Sequence, residues 1–243
     1  VLVEKPMAPD AAAAARLHAL AADRDVLLCP VHQFLFQRGV LRSADALPRL
    51  GTIRHIELVA CSAGADGLAD QEREQVALDI LPHGLALVRR YLSTSLADGS
   101  WQVGHGPPGE IRTTADIGDA SVSLVVSMRS RPTENSLTVR CDRGTVRANL
   151  FHGYATLERG APSRLDKVGR PFLGSTAALG AAAANLVGRA MRRESAYPGL
   201  RELVRRFHLA CAGLGPSPIS ADESIDVARA RDAIIHLRAA PTG

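Results

Sequence analysis

Lys5 stands between Glu4 and Pro6, directly after the apolar triplet Val1-Leu2-Val3. The chain of 243 residues carries 27 arginines and only two lysines, Lys5 and Lys167. Arginine has therefore taken most positions where any cation serves. A compact ammonium with a tunable pKa is what a guanidinium cannot imitate, so Lys5 suits bonding a ligand hydroxyl or polarising an alcohol that is losing its proton. The competing account is a surface ion pair of Glu4, with Pro6 shaping a turn. Asp79-Ile80-Leu81-Pro82-His83 places a carboxylate and an imidazole four residues apart, on one helix face. A neutral His83 could accept a hydroxyl proton, and Asp79 could orient it or stabilise the imidazolium. Read more plainly, Asp79 is a helix cap and His83 a packed side chain. His32-Gln33-Phe34-Leu35-Phe36 is the third group. His32 and Gln33 could face a shared cleft over a core of Phe34 and Phe36, or simply form a polar crossover.

The elements around these groups are legible from periodicity. Val1 to Val3 reads as the end of a buried strand, 10–22 as an alanine-rich helix, and Val26 to Cys29 as a second short strand closed by Pro30. Strand, helix and strand in thirty residues is the rhythm of a parallel α/β unit, whose strand ends are where open sheets place ligands. Helical patterns follow at 39–50, from Asp79 to Leu92, and from Ser175 to Arg193, 197–212 and 222–237. Pro82 reads as first-turn residue of a helix starting near Asp79, where the dipole favours a charged Asp79 and a neutral His83. Strands are expected at 52–62, 101–105, 111–117, 120–130, 136–140, 145–150 and 154–157, with the loop 64–71 between the first and the helix. Their alternation suggests an antiparallel sheet with one wet face. Ser220-Ala221-Asp222-Glu223 is a capping box for the last helix. Lys167 falls in a stretch, Pro162 to Pro171, that reads as a solvated loop.

Composition narrows the function classes. The chain has 46% hydrophobic residues and a net charge of +4, and its apolar runs fall short of the roughly 20 residues of a membrane span. No signal peptide is visible at the start, and a cytoplasmic, soluble protein is the expectation. The arginines are interspersed with 25 acids and lack interleaved aromatics, which argues against nucleic-acid binding. Cys29, Cys61, Cys141 and Cys211 lie far apart, and no His or Cys pair has metal-ligand spacing. No G-x-G-x-x-G turn leading from a strand into a helix is found; Gly104-His105-Gly106 lies in a loop without a following helix.

Taken in order, VLVEKPMA, VLLCP, His32-Gln33-Phe34-Leu35-Phe36, Leu50-Gly51-Thr52-Ile53-Arg54-His55-Ile56 and Asp79-Ile80-Leu81-Pro82-His83 resemble the glucose-fructose oxidoreductase, inositol dehydrogenase and rhizopine catabolism family (Gfo/Idh/MocA). Asp142-Arg143-Gly144-Thr145-Val146 and the closing SADESIDVARARDAII extend the resemblance over essentially the whole chain. It implies a Rossmann domain that binds NAD or NADP, here represented by a remnant at residues 1–30, and a substrate-binding and oligomerisation α+β domain at 31–243 built on a large, mostly antiparallel open sheet. It implies cofactor contacts at Glu4, Lys5 and Pro6, a catalytic set of Lys5, Asp79 and His83, and substrate contacts at His32, Gln33, Asp79 and His83. The expected reaction is hydride transfer between a nicotinamide cofactor and a hydroxyl or carbonyl of a sugar, cyclitol or related polyol, in a homo-oligomer associated through the sheet. The expected metal content is nil.

Three departures from the family pattern stand out. Gln33 and Leu35 replace the Asn and the basic residue of its H-N-x-R-F stretch, and Val76-Ala77-Leu78 replaces the small residues before D-x-x-x-H. The glycine turn and ribose-gripping acid expected before E-K-P are absent from the chain, so it reads as a piece of a longer oxidoreductase. The alternative of a different class is a non-catalytic sugar-binding or dimerisation module of the same fold.

Overall fold

The computed structural model describes residues 1–160, 164–194 and 197–240. Two short parallel strands, β1 (Leu2–Val3) and β2 (Cys29–Pro30), are linked by helix α1 (Ala11–Asp23). Asp10 caps α1 by accepting the Ala13 N–H at 2.6 Å, which satisfies one of the free donors of the first turn. The second strand is shorter than the apolar run Val26 to Cys29 suggests. Its only partner, β1, offers two residues, so pairing stops at Cys29 and leaves Val26 42% exposed.

A 3-10 turn (Gln33–Phe36) and helix α2 (Arg38–Leu50) lead into a seven-stranded sheet. Its strands are β3 (Ile53–Cys61), β4 (Gln102–Gly104), β5 (Glu110–Ile117), β6 (Ala120–Ser127), β7 (Glu134–Cys141), β8 (Gly144–Asn149) and β9 (Tyr154–Arg159). They lie in the order β4-β5-β6-β3-β7-β8-β9, with β3 and β6 parallel and every other pair antiparallel. The chain is thus a mixed α/β structure around a mostly antiparallel sheet, as its alternation predicts. In β5, Ile111, Thr113, Ala115 and Ile117 point inward while Arg112, Thr114 and Asp116 face out, the period of two that a one-sided sheet needs.

Helix α3 (Asp70–Leu92) lies on the inner face, burying Leu81, Leu85 and Val88 against Ile56, Leu58 and Leu124 of the sheet. The approach is closest at Gly84, where an added Cβ would stand 3.2 Å from Leu58 Cδ2. Helices α4 (Arg164–Met191), α5 (Leu200–Cys211) and α6 (Ala221–Ala239) complete the chain. The Ser220–Glu223 capping box forms as expected: Ser220 Oγ accepts the Glu223 N–H at 3.1 Å, and the Glu223 carboxylate accepts the Ser220 N–H at 3.0 Å.

Two sequence expectations about the helices are corrected. Helix α3 begins at Asp70, nine residues before Asp79, so Pro82 is an interior residue and not a first-turn one. The true start carries the signal the proline obscured, Asp70 and Glu72 in the first turn with the Glu72 carboxylate accepting the Ala69 N–H at 3.1 Å. Lys167 lies within α4 and not in a loop, because the helix continues through Pro171 at the loss of one backbone bond; residues 161–163 of that expected loop lie outside the described residues. Gly109 completes the spacing G-x-G-x-x-G begun at Gly104 and Gly106, but the stretch joins antiparallel β4 to β5 as expected of a loop, with Gly109 at φ 84° under the Arg73 side chain. No helix N-terminus follows it to face a phosphate.

Helix α2 rests on the far edge strand through a glycine. A Cβ at Gly39 would stand 2.6 Å from the Tyr154 carbonyl carbon and 2.7 Å from Ala155 N, both backbone atoms of β9. Gly39→Ala is accordingly expected to cost about 1–3 kcal/mol of overpacking, read as a lower urea midpoint; an unchanged midpoint would show that α2 and β9 are free to separate.

Candidate active site at the end of strand β1

Strand β1 ends at Val3, and the next residues bring Lys5 to α3. Lys5 Nζ donates to the main-chain carbonyl of Asp79 at 2.8 Å, a link across 74 positions of sequence. The Lys5–Pro6 peptide bond is cis. One bond leaves two of the three ammonium donors available. Glu4 beside it is exposed, and Pro6 and Lys5 are half-buried.

His32 follows β2, and His83 projects from α3 to meet it. Their rings stand 5.6 Å apart, edge to face at 81°, and Phe34 packs on His83 at 4.7 Å. Only 4% of His32 and 7% of His83 is exposed, and Nδ1 of each is buried without a hydrogen-bond partner. Burial, and then the Lys5 charge, push the His32 pKa down to about 4. Burial holds His83 well below the ordinary imidazole value, with His32 and Lys5 adding to the effect. Both rings are therefore neutral at pH 7. The neutral state of His83 was expected from a helix N-terminus; the structure reaches it through desolvation, since His83 lies in the interior of α3.

Asp79 and His83 share a face of α3 but do not bond. The Asp79 carboxylate accepts instead from Gln75 Nε2 at 2.8 Å, one turn back along the helix. Gln75 and Leu78 line an open cleft of about 610 Å³ between the start of α3, the β4–β5 connection and the end of α6. A far smaller cavity of about 30 Å³, room for one or two waters, lies at Lys5 and His32 and is closed by Pro82, Ser224, Val227 and Arg231. Of these two, the open cleft is the one with the volume for a sugar-sized ligand. Gln33 lies in the 3-10 turn with its main-chain carbonyl against Gly199. Phe34, expected in the core, is half-buried and lies against His83 while Phe36 is buried.

The structure thus assembles Lys5, His32 and His83 and ties Asp79 to Lys5 through its backbone. The α6 side of the cavity was missed by sequence reasoning. Ser224, Val227, Ala228 and Arg231 recur at helical spacing along one face, a stripe visible in the sequence but polar at both ends. Among the described residues no group of three or more His, Cys, Asp or Glu could hold a metal ion.

The protonation states carry a stability consequence. A histidine whose folded pKa lies below its unfolded value of about 6.5 stabilises the fold above that value and loses the contribution as pH falls toward the folded pKa. For His32 that window runs from about 6.5 down to about 4. At pH 5 its share of the loss is about 2 kcal/mol. Denaturation at pH 7 and pH 5 should show His32→Phe losing less stability on acidification than the wild-type chain; equal losses would mean that His32 titrates normally.

No family model and no curated protein matches the chain. Solved structures do. The WlbA dehydrogenase from Bordetella pertussis, in complex with NADH and UDP-GlcNAcA, is similar over 98% of this chain and 70% of its own, with a TM-score of 0.73 and 15% identity. The UDP-N-acetylglucosamine 3-dehydrogenase GnnA from Acidithiobacillus ferrooxidans matches 98% of this chain and 68% of its own at TM-score 0.66 and 13% identity. A 3-ketoreductase from Actinomadura kijaniata, in complex with NADP, matches over 97% and 69% at TM-score 0.66 and 19% identity. At such identities the likeness establishes a shared fold: this chain has the mixed α/β architecture of those enzymes.

Proposed function

We propose that the chain forms the catalytic and substrate-binding part of an NAD(P)-dependent oxidoreductase that transfers a hydride between the nicotinamide and a hydroxyl or carbonyl of a sugar, cyclitol or related polyol. The observation that carries this reading is the convergence of the Lys5 ammonium with the buried, neutral His83 and His32 at the end of β1. The E-K-P and D-x-x-x-H residues that resemble the Gfo/Idh/MocA family are the ones brought together. The dehydrogenases that share the fold bind NADH or NADP, and one of them a nucleotide sugar.

The donor set fits the nicotinamide end of such a cofactor. Glu4, Lys5 and Pro6 would hold its ribose, and neutral imidazoles beside an ammonium suit hydroxyl groups. When bound, the nicotinamide supplies the hydride acceptor or donor. The chain's own residues handle the proton. Nδ1 of His83 is sealed in the protein, so Nε2 is the position that takes a hydroxyl proton or returns it. The Lys5 ammonium stabilises negative charge on the reacting oxygen, and the Asp79 carbonyl fixes its height above α3.

The strand–helix–strand unit at 1–30 is assigned to the dinucleotide-binding part and 31–243 to the substrate part. Leu17, Leu20 and Val26 are 40–49% exposed around that unit, apolar surface of the kind a neighbouring layer of a parallel sheet covers. The test is cofactor reduction by the product of the full reading frame with a panel of sugars, cyclitols and nucleotide sugars. Reduction of NAD or NADP by at least one of them is expected. Calorimetric sugar binding without turnover of any would replace the oxidoreductase with a binding module.

A further inference from the structure

Helix α4 carries a large apolar face that nothing in the described chain covers. Phe172 is 74% exposed, Leu173 66%, Leu179 72%, Leu186 69%, Val187 59% and Met191 82%. Arg189 is the one charged residue between 172 and 191, and its guanidinium turns back to the carbonyls of Glu194 and His152. Those six side chains leave on the order of 700 Å² of apolar surface, more than the largest patch of a typical monomer and close to the roughly 800 Å² each partner contributes to a standard interface.

The stripe has the pattern of a helix pair. Phe172, Leu179 and Leu186 recur every seven residues, as do Leu173, Gly180 and Val187, the spacing that keeps one seam facing a partner helix. Large and small residues alternate along it. An antiparallel pairing centred on Ala183 sets Leu186 of each copy over Gly180 of the other, and Leu179 over Val187. A Cβ at Gly180 would meet nothing within 4 Å, so the hole is open to receive that leucine. A two-fold pairing of identical surfaces needs this self-complementarity.

Other occupants fit less well. The outward face of the sheet is polar, with Arg140 paired to Glu57 at 2.9 Å and Arg147 to Glu158 at 3.1 Å, which leaves it a poor match for an uncharged helix. No helix of the described residues is long and apolar enough to cross a membrane. Helix α4 packs on β9, at the sheet edge opposite β4, whereas α1 and α6 pack together and α6 reaches β4. Any layer added beside β1 therefore lies away from α4.

We infer that α4 is a homodimer interface, the face Phe172 to Met191 pairing antiparallel with the same face of a second copy. Light scattering should give at least twice the chain mass for wild type, and Leu179→Glu/Leu186→Glu should halve that mass with unchanged far-ultraviolet circular dichroism. In a Cys211→Ser background, Ala183→Cys should oxidise to a covalent dimer, while Ser175→Cys, which pairing about Ala183 sets opposite Met191, should not. A monomeric wild type, a double variant that keeps the wild-type mass, or equal cross-linking at both positions would overturn the proposal. So would a wild-type chain that is monomeric in solution and sediments with anionic phospholipid vesicles.

Discussion

Lys5→Met is expected to lower kcat for polyol oxidation by about 100- to 1,000-fold, the effect of removing one donor aimed at a developing oxyanion, while leaving the chain folded. The structural cost is small. Lys5 makes one described bond, to the Asp79 carbonyl at 2.8 Å, whose loss costs about 1 kcal/mol at a half-exposed site. The diagnostic variant is Lys5→Arg. If Lys5 only fastens β1 to α3, a guanidinium, which donates to carbonyls readily, should restore function. If the ammonium itself faces the reacting oxygen, the larger planar group displaces the substrate and cannot be tuned by neighbouring charge, so kcat stays low and KM rises. Steady-state kinetics on the product of the full reading frame separates the two, with full activity in Lys5→Arg assigning Lys5 the fastening role.

The same site shows what sequence can and cannot disclose. Lys5 stood out because 27 other basic positions are arginine, and Asp79 with His83 because a four-residue spacing shares a helix face. Their meeting point could not be read. It depends on Lys5 crossing 74 positions to a backbone carbonyl, and backbone acceptors leave no mark in a sequence. The sheet was legible because a wet outer face forces alternation, visible in β5 and β6. The start of α3 was not, because Pro82 outweighed the acidic first turn at Asp70 and Glu72. Burial decides that conflict: Leu81, Leu85 and Val88 against the sheet repay the missing proline bond. The cause of His83 neutrality shifted accordingly, from a helix dipole that acts within the first turn to desolvation beside a second imidazole and an ammonium. Both causes act against the charged form.

The helices that shape the site are held by a buried carboxylate that sequence reasoning passed over. Asp226 of α6 is 5% exposed. It accepts Ser95 Oγ at 2.7 Å, Leu96 N at 2.8 Å and Ala97 N at 3.3 Å, and it pairs with Arg89 of α3 at 3.0 Å. The cluster joins the end of α3, the turn after it and α6, the helix whose Ser224, Val227 and Arg231 close the cavity at Lys5 and His32. Removing one partner of a buried pair is costly because the other remains desolvated. Asp226→Ala would leave the Arg89 guanidinium without its counter-charge, and the Leu96 N–H and the Ser95 hydroxyl without their acceptor. The expected loss is about 3–5 kcal/mol, a fall in Tm of roughly 6–20 °C for a chain of this size. Asp226→Asn keeps the shape and one acceptor oxygen but not the charge, and should fall between. Arg89→Met in the Asp226→Leu background should recover part of the loss, since an apolar pair of similar volume leaves no buried charge behind. Urea and thermal denaturation of the four chains test the cluster. An Asp226→Ala chain within about 1 kcal/mol of wild type would mean that water reaches Arg89, and that α6 is held against α3 by Val227, Ala230 and Ile234 alone.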